Sequence, residues 1–263
     1  MYRLIATDVD GTLLDNDSKL TEYNKKALLE CKKRGIGIIL ATGKTIDSIL
    51  YLRKELGLAL PQITLNGSVT IGPDLKIIDS VKIDPAYYLE VIRFIKSGGY
   101  PPVIALDNGK LYLDSYHSDL KHLDTIGEKF IKADSIETQY FAQNTVDIYI
   151  PMKESDPLDR ALRKKYSGKL QFMRSGPYFF DILNIRATKG NALLSVIDNL
   201  GIKREEVAVF GDSPNDLSMF AIAGLKVAVK NSYPEILEMA DIITDKNHDS
   251  GLGKAIYKHI LKD

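Results

Sequence analysis

The chain has 263 residues, of which 44% are hydrophobic and 27% are charged, a composition typical of a globular protein that buries a full core. Lysine plus arginine and aspartate plus glutamate each number 35, so the formal net charge is zero. Proteins that bind a nucleic-acid backbone or an anionic membrane normally carry a basic surplus, so we expect neither partner. The single Cys31 cannot form an internal disulfide and the first residues lack a signal peptide's apolar stretch, so we predict a cytoplasmic location.

Apolar runs alternate with amphipathic helical stretches at both ends of the chain. The pattern predicts strands over 4–7, 36–41, 63–65, 207–210, 227–229 and 242–243. It predicts helices over 22–33, 46–56, 189–200, 217–223 and 235–239. Continuous apolar strands separated by helices are typical of a parallel sheet that is covered on both faces. We therefore predict that the two ends form one α/β domain with a doubly wound, Rossmann-like parallel sheet.

The middle of the chain has a different pattern. Alternating apolar residues predict a strand over 146–150, and Asn108-Gly109 supplies the turn of a hairpin over 104–113. Amphipathic helices are predicted over 87–96 and 158–165. We therefore predict an inserted α+β unit over 83–186, with a discontinuous core domain formed by 1–82 and 187–263.

Polar motifs follow four of the predicted core strands. They are Asp8-Val9-Asp10-Gly11-Thr12, Thr42-Gly43-Lys44, Asn66-Gly67-Ser68 and Gly211-Asp212-Ser213-Pro214-Asn215-Asp216. Ligands of an open parallel sheet bind beyond the carboxyl ends of its strands, so we expect these motifs to converge at one edge. Their carboxylates form a hard oxygen environment, with no cysteine or histidine in the motifs, and Mg²⁺ prefers such an environment. The sequence therefore predicts a magnesium site at this edge.

Several of these residues also have a purely structural explanation. Asp8 and Asp10 could close a strand as ordinary turn residues. With Ser213 as the N-cap, Asp216 stands at the capping-box position of a helix start. Lys189 favours a functional site, because the helix dipole disfavours a cation in the first turn of a helix, and such a lysine indicates a buried anionic partner.

Taken together, the motifs resemble, in order and spacing, the four motifs of the haloacid dehalogenase-like hydrolase superfamily. The matching segments are Asp8-Val9-Asp10-Gly11-Thr12, Thr42-Gly43, Lys189-Gly190 and Gly211-Asp212 with Asn215-Asp216. The chain is most similar to the Cof-type sugar-phosphatase branch, in which a large α/β cap of the C2B kind is inserted after the third strand. Further matches extend the resemblance over essentially the whole chain, at Leu65-Asn66-Gly67, Asp181-Ile182, 227–231 and 247–251.

The resemblance implies a role for each matching residue. Asp8 would be the nucleophile that forms an aspartyl-phosphate, and Asp10 the general acid and then the general base. Mg²⁺ would be held by Asp8, the backbone carbonyl of Asp10 and Asp212, and Asp216 would orient Lys189 or a metal-bound water. Thr42 and Lys189 would take part in catalysis by holding the phosphoryl group. The implied contacts to phosphate or substrate are Val9, Thr42, Gly43, Lys44, Asn66, Lys189 and Asn215.

The sequence departs from the branch at three positions. Lys44 stands where an arginine is usual, so a point charge replaces a bidentate fork. Ser68 replaces the more usual alanine, and Lys230 stands where a glycine is common. These departures concern substrate contacts rather than the nucleophile, the acid or the metal ligands. Candidate substrate contacts near the exit of the cap are Arg174, Tyr178 and Phe179.

These features predict a Mg²⁺-dependent phosphomonoesterase that acts on a small phosphorylated metabolite, a sugar phosphate. One alternative is a phospho-acceptor signalling module such as a receiver domain, but Asp10 would hasten hydrolysis of its acyl phosphate, and a receiver lacks the large insertion. A second alternative is a catalytically silent binding relative, which intact carboxylates at Asp8, Asp10 and Asp212 disfavour. The sequence leaves a monomer and a small homo-oligomer both open.

Overall fold

The computed structural model describes residues 1–117, 120, 129–153, 155–176 and 179–262. Its strands are β1 Leu4–Thr7, β2 Gly37–Leu40, β3 Gln62–Thr64, β4 Val69–Ile71, β5 Ile77–Ser80, β6 Val103–Leu106, β7 Leu111–Leu113, β8 Phe130–Lys132, β9 Thr145–Pro151, β10 Leu170–Gly176, β11 Phe179–Asn184, β12 Val207–Gly211, β13 Leu225–Val229 and β14 Ile242–Thr244. Its α-helices are α1 Glu22–Lys33, α2 Ile46–Glu55, α3 Pro85–Ser97, α4 Gln139–Asn144, α5 Pro157–Lys165, α6 Lys189–Asn199, α7 Leu217–Phe220, α8 Pro234–Met239 and α9 Gly251–Ala255.

Five parallel strands form the central sheet, in the order β14-β13-β12-β1-β2. Every residue of β1 is buried, because helices cover both faces of the sheet. Helices α1, α2 and α9 pack on one face, around a cluster that includes Leu28, Leu52 and Leu252. Helices α6 and α7 pack on the other face, where Leu193 and Phe220 are buried. The predicted doubly wound α/β sheet is confirmed.

The predicted third strand is not a full member of this sheet. An isolated parallel bridge, between Ala41 and Ile63, joins β3 to the chain beyond β2. Strand β3 pairs antiparallel with β4, and β4 pairs with β5, so these strands form a separate small sheet. The chain reverses after β3 because Leu65, Asn66 and Gly67 have φ angles of 48°, 56° and 92°. A strand cannot continue through successive left-handed residues, so β3 ends at Thr64 and the chain returns as β4.

A six-stranded sheet, which we call the cap sheet, has the order β10-β11-β9-β6-β7-β8. One face packs against helices, around residues that include Tyr88 of α3, Leu162 of α5 and Phe180 of β11. The opposite face carries Ala105, which packs with Leu65 beside the β3–β4 turn. We call this second face the core-facing face of the cap sheet. The predicted hairpin over 104–113 is present as β6 and β7, and the α+β character of the inserted unit is confirmed.

The last strand of the cap sheet leads directly into the central domain. After β11 the Ala187 N–H donates to the Asn184 carbonyl at 2.9 Å, which turns the chain. Thr188 then caps α6 by accepting the Asn191 N–H at 2.9 Å. The first helical residue, Lys189, is thereby placed a few residues beyond the cap sheet and at the edge of the central sheet.

Candidate active site

Asp8 lies at the carboxyl end of β1, where the chain leaves the sheet in a wide turn over Val9–Leu13. Its N–H donates to the Phe210 carbonyl at 2.9 Å, so its backbone still belongs to the sheet edge. The turn requires Gly11, because its φ is 77° and a Cβ there would lie 2.5 Å from Asp212 Oδ2. The turn therefore brings together two carboxylates, Asp8 and Asp212, that are only 6% and 7% exposed.

The Lys189 side chain is fully buried, and its ammonium lies between two carboxylates. Nζ donates to Asp8 Oδ1 at 2.6 Å and to Asp216 Oδ1 at 2.7 Å. Burial opposes the ammonium charge, but attraction to Asp216 and Asp8 outweighs burial, so the pKa of Lys189 is raised above its usual value. The ammonium therefore stays charged and holds one oxygen of each carboxylate in place.

The two oxygens of Asp216 accept hydrogen bonds from different groups. Oδ1 accepts the bond from Lys189, whereas Oδ2 accepts the Asp212 N–H at 3.0 Å and the Ser213 N–H at 3.1 Å. The contact with Ser213 is the capping-box bond that the sequence predicts. The structural and the functional explanations of Asp216 are therefore both satisfied by one side chain.

Asp212 is the third carboxylate of the cluster. Its Oδ1 accepts from Thr12 Oγ1 at 2.6 Å, and its Oδ2 accepts from Ser213 Oγ at 3.3 Å. Burial, together with the nearby charge of Asp216, raises the pKa of Asp212 to about 7. Burial also raises the pKa of Asp8 well above its usual value, although Lys189 opposes this rise. One ammonium thus lies among three buried carboxyl groups, so the cluster holds more carboxyl groups than its own cation can balance.

The donor set of this cluster fits a divalent cation. One carboxylate oxygen each from Asp8, Asp212 and Asp216 lies within 4.8 Å of the others. All of these donors are oxygens, which suits a hard cation such as Mg²⁺. Asp216 is fully buried and bonds the Lys189 ammonium and two backbone amides, whereas Asp8 and Asp212 are partly open to solvent, at 6% and 7% exposure. The residues therefore fit a cation held by Asp8 and Asp212, with Asp216 positioning Lys189.

Asp10 lies beside this cluster rather than within it. Its side chain is 50% exposed, and its Oδ2 lies 3.3 Å from Lys44 Nζ. Lys44, which the sequence analysis expects to contact phosphate, is thus paired with a carboxylate in this structure. Val9, between Asp8 and Asp10, is fully buried, and its carbonyl accepts the Leu14 N–H at 2.9 Å.

The loop after β2 is bonded to the loop after β3. Thr42 is 1% exposed, and its Oγ1 accepts the Lys44 N–H at 3.1 Å. Its carbonyl accepts the Asn66 N–H at 3.0 Å, and a Cβ on Gly43 would lie 3.1 Å from Asn66 Oδ1. Thr42, Gly43 and Asn66 therefore meet at one place, as the sequence analysis expects.

A chain of amides connects this loop with the cap sheet. Asn215 Nδ2 donates to Asn66 Oδ1 at 3.0 Å, and Asn66 Nδ2 donates to Asp181 Oδ2 at 3.2 Å. Asn215 Oδ1 is buried and has no hydrogen-bond partner within the described residues. The Asn66 loop approaches α6 closely, because a Cβ on Gly67 would collide with the Thr188 carbonyl. We call these bonded side chains, Asn215, Asn66 and Asp181, the amide chain.

The sequence analysis matched Asp181-Ile182 to the family pattern but assigned no site role to the aspartates of the cap sheet. Asp181 on β11 and Asp147 on β9 are only 5% and 4% exposed. The register places Asp181 opposite Tyr149 and Asp147 opposite Leu183, so the two aspartates stand at diagonal positions on one face. Asp181 reaches Asn66, which shows that this is the core-facing face. The available signal was an aspartate within each of two otherwise apolar strands.

One of the cap residues proposed from sequence position, Arg174, does not line the site. Arg174 Nη atoms donate to the Met152 and Lys153 carbonyls at 3.0 and 2.7 Å. Its guanidinium also lies over the Phe180 ring, on the helix-covered face of the cap sheet. The prediction for Arg174 is therefore wrong, because strand alternation turns it away from the core. Phe179 begins β11, and Tyr178 lies outside the described residues.

Known proteins resemble this chain over its whole length. The family model described as haloacid dehalogenase-like hydrolase matches residues 5–256. The putative phosphatase YxeH of Bacillus subtilis is 30% identical, over 99% of this chain and 99% of its own. The 5-amino-6-(5-phospho-D-ribitylamino)uracil phosphatase YcsE of the same organism is 27% identical, over 98% of this chain and 96% of its own. The crystal structure of TM0651 from Thermotoga maritima is similar with a TM-score of 0.86 and 27% identity, over 98% of this chain and 97% of its own.

The chain therefore belongs to the haloacid dehalogenase-like hydrolase family, and its expected place in the Cof-type branch is confirmed. It is a phosphatase, since the family is hydrolytic and similar proteins are named phosphatases. Phosphatase activity is therefore preferred over the two alternatives, a phospho-acceptor signalling module and a catalytically silent relative. In the part of the chain that the structure describes, no helix is long and apolar enough to span a membrane.

Proposed function

We propose that the protein is a Mg²⁺-dependent phosphomonoesterase that hydrolyses a small phosphorylated metabolite, a sugar phosphate, through an aspartyl-phosphate on Asp8. The observation that carries this proposal is the buried Lys189 ammonium, bonded to Asp8 at 2.6 Å and to Asp216 at 2.7 Å beside Asp212. The Lys189 ammonium holds Asp8 through Oδ1, so Oδ2 is the oxygen that attacks phosphorus. A rigidly held carboxylate of this kind is suited to nucleophilic catalysis.

In the first step, the bond between Asp8 Oδ2 and phosphorus forms while the bond from phosphorus to the leaving oxygen breaks. Asp10 donates a proton to that leaving oxygen, so the product departs as a neutral alcohol. The Asp10 side chain is half-exposed beside the cluster, a position that suits a group facing the leaving oxygen. Thr42, the amides of Val9 and Gly43, Asn215 and Lys189 hold the phosphoryl oxygens.

In the second step, Asp10 accepts a proton from a water molecule as that water attacks phosphorus. The bond between phosphorus and Asp8 breaks, inorganic phosphate leaves, and both carboxyl groups return to their starting states. Mg²⁺, held by Asp8, the Asp10 carbonyl and Asp212, supplies the positive charge that allows phosphoryl oxygens to approach a carboxylate. The carboxylate oxygens of Asp8, Asp212 and Asp216, which lie within 4.8 Å of one another, support this assignment.

The similarity to YcsE supports a sugar-like substrate, because YcsE is named for a substrate that is the phosphate ester of a ribityl chain. We also propose that the chain forms two units, a core over 1–82 and 187–263 and a cap over 83–186. The cap sheet, all of whose strands lie between 103 and 184, supports these boundaries. The balanced charge and the single, buried Cys31 support a cytoplasmic enzyme without a nucleic-acid partner.

The proposal is tested by measuring phosphate release from p-nitrophenyl phosphate. We expect turnover with Mg²⁺, none with EDTA, and a loss of roughly a thousandfold or more in Asp8→Asn, since the amide cannot attack phosphorus. Asp134→Asn, which makes the same chemical change at an exposed site of the cap, serves as the control and keeps wild-type turnover. Turnover that survives in Asp8→Asn would overturn the assigned nucleophile.

A further inference from the structure

Asp147 and Asp181 form a buried pair of aspartates, which we call the cap acidic pair. Asp147 Oδ1 is buried and has no hydrogen-bond partner among the described residues. The structure records no ion pair to Asp147 over that same part of the chain. Burial, reinforced by the charge of Asp181, raises the pKa of Asp147 well above its usual value. A buried, under-satisfied carboxyl group destabilises the fold, so the pair needs a reason other than stability.

The position of the pair connects it with the phosphoryl site. Asp181 accepts from Asn66, and Asn66 accepts from Asn215, so the amide chain runs from the cap sheet to the loop that also carries Asp216. At the far end of this chain, Asn215 Oδ1 is a second buried acceptor without a partner in the described structure. One unpartnered acceptor of the described residues, Asp147 Oδ1, is therefore on the diagonal neighbour of Asp181, and the other, Asn215 Oδ1, is at the opposite end of the amide chain, as expected around a ligand that brings its own donors.

Burial of the pair does not prevent contact with a substrate. Asp8 and Asp212 are 6% and 7% exposed, as little as Asp147 and Asp181 at 4% and 5%. A phosphatase must admit substrate to Asp8, and the core-facing face of the cap sheet meets the core at Asn66, which also bonds Asn215 of the phosphoryl site. A movement of the cap sheet away from the core would therefore uncover this face together with the phosphoryl site.

The chemistry of the pair limits what it can bind. A carboxylate accepts hydrogen bonds, and a pair with one proton can still accept several. Hydroxyl groups supply the required donors at low cost in desolvation, and Tyr149, on the same face, adds an apolar ring beside them. A second anionic group on the substrate would meet like charge in a water-poor space, where repulsion is strong.

We infer that Asp147 and Asp181 form the leaving-group subsite, which binds neutral, hydroxyl-bearing leaving groups and rejects leaving groups with a second negative charge. The inference rests on the proposed function, because it assigns the other end of the same substrate. The amide chain then links the subsite to the phosphoryl end through Asn66. Asp147 and Asp181 are specificity-determining residues in this account, and Asp8 and Asp10 carry out the chemistry.

The test compares two substrates that differ only at the carbon farthest from phosphate, sorbitol 6-phosphate with a hydroxyl group and 6-phosphogluconate with a carboxylate. We expect the wild type to prefer sorbitol 6-phosphate by tenfold or more in kcat/KM. Asp147→Asn and Asp181→Asn should each reduce this preference about tenfold, as a charge-assisted contact and a repulsion are both lost. Because each result is a ratio within one variant, a general effect on the chemistry cancels.

Asp134→Asn is the matched control, since it removes one exposed carboxylate from the same unit and should keep the wild-type ratio. A wild type without preference for sorbitol 6-phosphate would overturn the inference, even if neither variant folds. A ratio unchanged in both folded variants, or reduced equally in the control, would also overturn it. If the wild type fails to hydrolyse p-nitrophenyl phosphate with Mg²⁺, the proposed function fails instead, and the two failures are thus distinguished.

Discussion

The protein buries carboxylates in two regions and balances them in different ways. In the core, Asp8 and Asp216 share the Lys189 ammonium, and Asp212 beside them accepts from Thr12. In the cap sheet, Asp147 has an unpartnered oxygen among the described residues and no ammonium bonded to it there. Both regions hold more buried carboxyl groups than the cations bonded to them in the described structure can balance.

The difference indicates what each region binds. A cluster with a fixed ammonium and an excess of oxygen donors suits a divalent cation and an anionic phosphoryl group. A pair of aspartates in which Asp147 Oδ1 has no partner among the described residues suits hydroxyl donors instead. The two regions together fit opposite ends of one phosphorylated, hydroxyl-rich molecule. Substitutions in each of the two regions test these assignments.

The largest effect on stability is expected from Lys189→Met. Removing the ammonium leaves Asp8 and Asp216 buried without their cation, which should lower the free energy of unfolding by about 3–5 kcal/mol. Denaturant unfolding measures this change. The control is Lys226→Met, because Lys226 pairs with Asp241 at 3.2 Å on a partly exposed surface and such a pair contributes less than about 1 kcal/mol. Equal losses in the two variants would contradict the account of the core cluster.

The next effect is the response of stability to Mg²⁺. At a concentration one hundred times its dissociation constant, a ligand that binds only the folded state stabilises it by about 2.7 kcal/mol. We expect the wild type to show such a gain in unfolding experiments with Mg²⁺ against EDTA. Asp212→Asn should lose the gain, whereas Asp10→Asn should keep it, because Asp10 contributes its backbone carbonyl. A gain that survives in Asp212→Asn would show that the cation lies elsewhere.

A smaller effect, of opposite sign, is expected for the cap acidic pair. The raised pKa of Asp147 means that the folded state favours its protonated form, so the wild type loses stability as the pH rises from the ordinary aspartate pKa of about 3.9 towards the raised value. Asp147→Asn lacks this loss and should be more stable than the wild type at pH 7, by about 1–3 kcal/mol.

Unfolding at pH 7 and at acid pH below that ordinary value checks this prediction. The difference should vanish at the lower pH, and Asp134→Asn should show no such pH dependence. Asp181 and Tyr149 are the titratable groups of the paired strands β9 and β11 that share the face with Asp147. A variant that is less stable than the wild type at pH 7 would mean that Asp147 stabilises the fold in its charged form.

The smallest effect is expected from Lys44→Arg, which restores the residue that the resemblance leads one to expect. Lys44 is 13% exposed and contacts Asp10 at 3.3 Å, and arginine keeps this positive charge. The value of kcat/KM for p-nitrophenyl phosphate should change by less than about threefold, which corresponds to less than about 0.7 kcal/mol. A fall of tenfold or more would show that the compact ammonium of Lys44 is required.

Local patterns were sufficient to predict much of the fold and part of the site. Helix α1 has the predicted bounds, 22–33, because its apolar spacing and its Thr21 cap are local features. The capping position of Asp216 was also visible in sequence, since it depends on four consecutive residues. The pairing of β3 with β4 was not predicted, because the chain reversal between them depends on Leu65 and Asn66. The residue types of Leu65 and Asn66 do not require their left-handed conformations.

The cap acidic pair could not be predicted from local patterns. Asp147 and Asp181 lie on different strands, and their diagonal contact depends on the register of β9 against β11. The direction of Arg174 depends on which face of the cap sheet meets the core, which is a tertiary property. Residues that act on a substrate from two separate sheets therefore become visible only when the sheets are placed together.

The most direct test of the central claim is to find the phosphoryl group on the protein. Asp10→Asn should form the aspartyl-phosphate but hydrolyse it slowly, since it lacks the base that activates water. We predict that acid quenching of this variant during turnover of p-nitrophenyl phosphate with Mg²⁺, followed by peptide mass spectrometry, finds one phosphoryl group on Asp8. A phosphoryl group on a different residue, or none in a variant that still releases p-nitrophenol in a stoichiometric burst, would contradict the account.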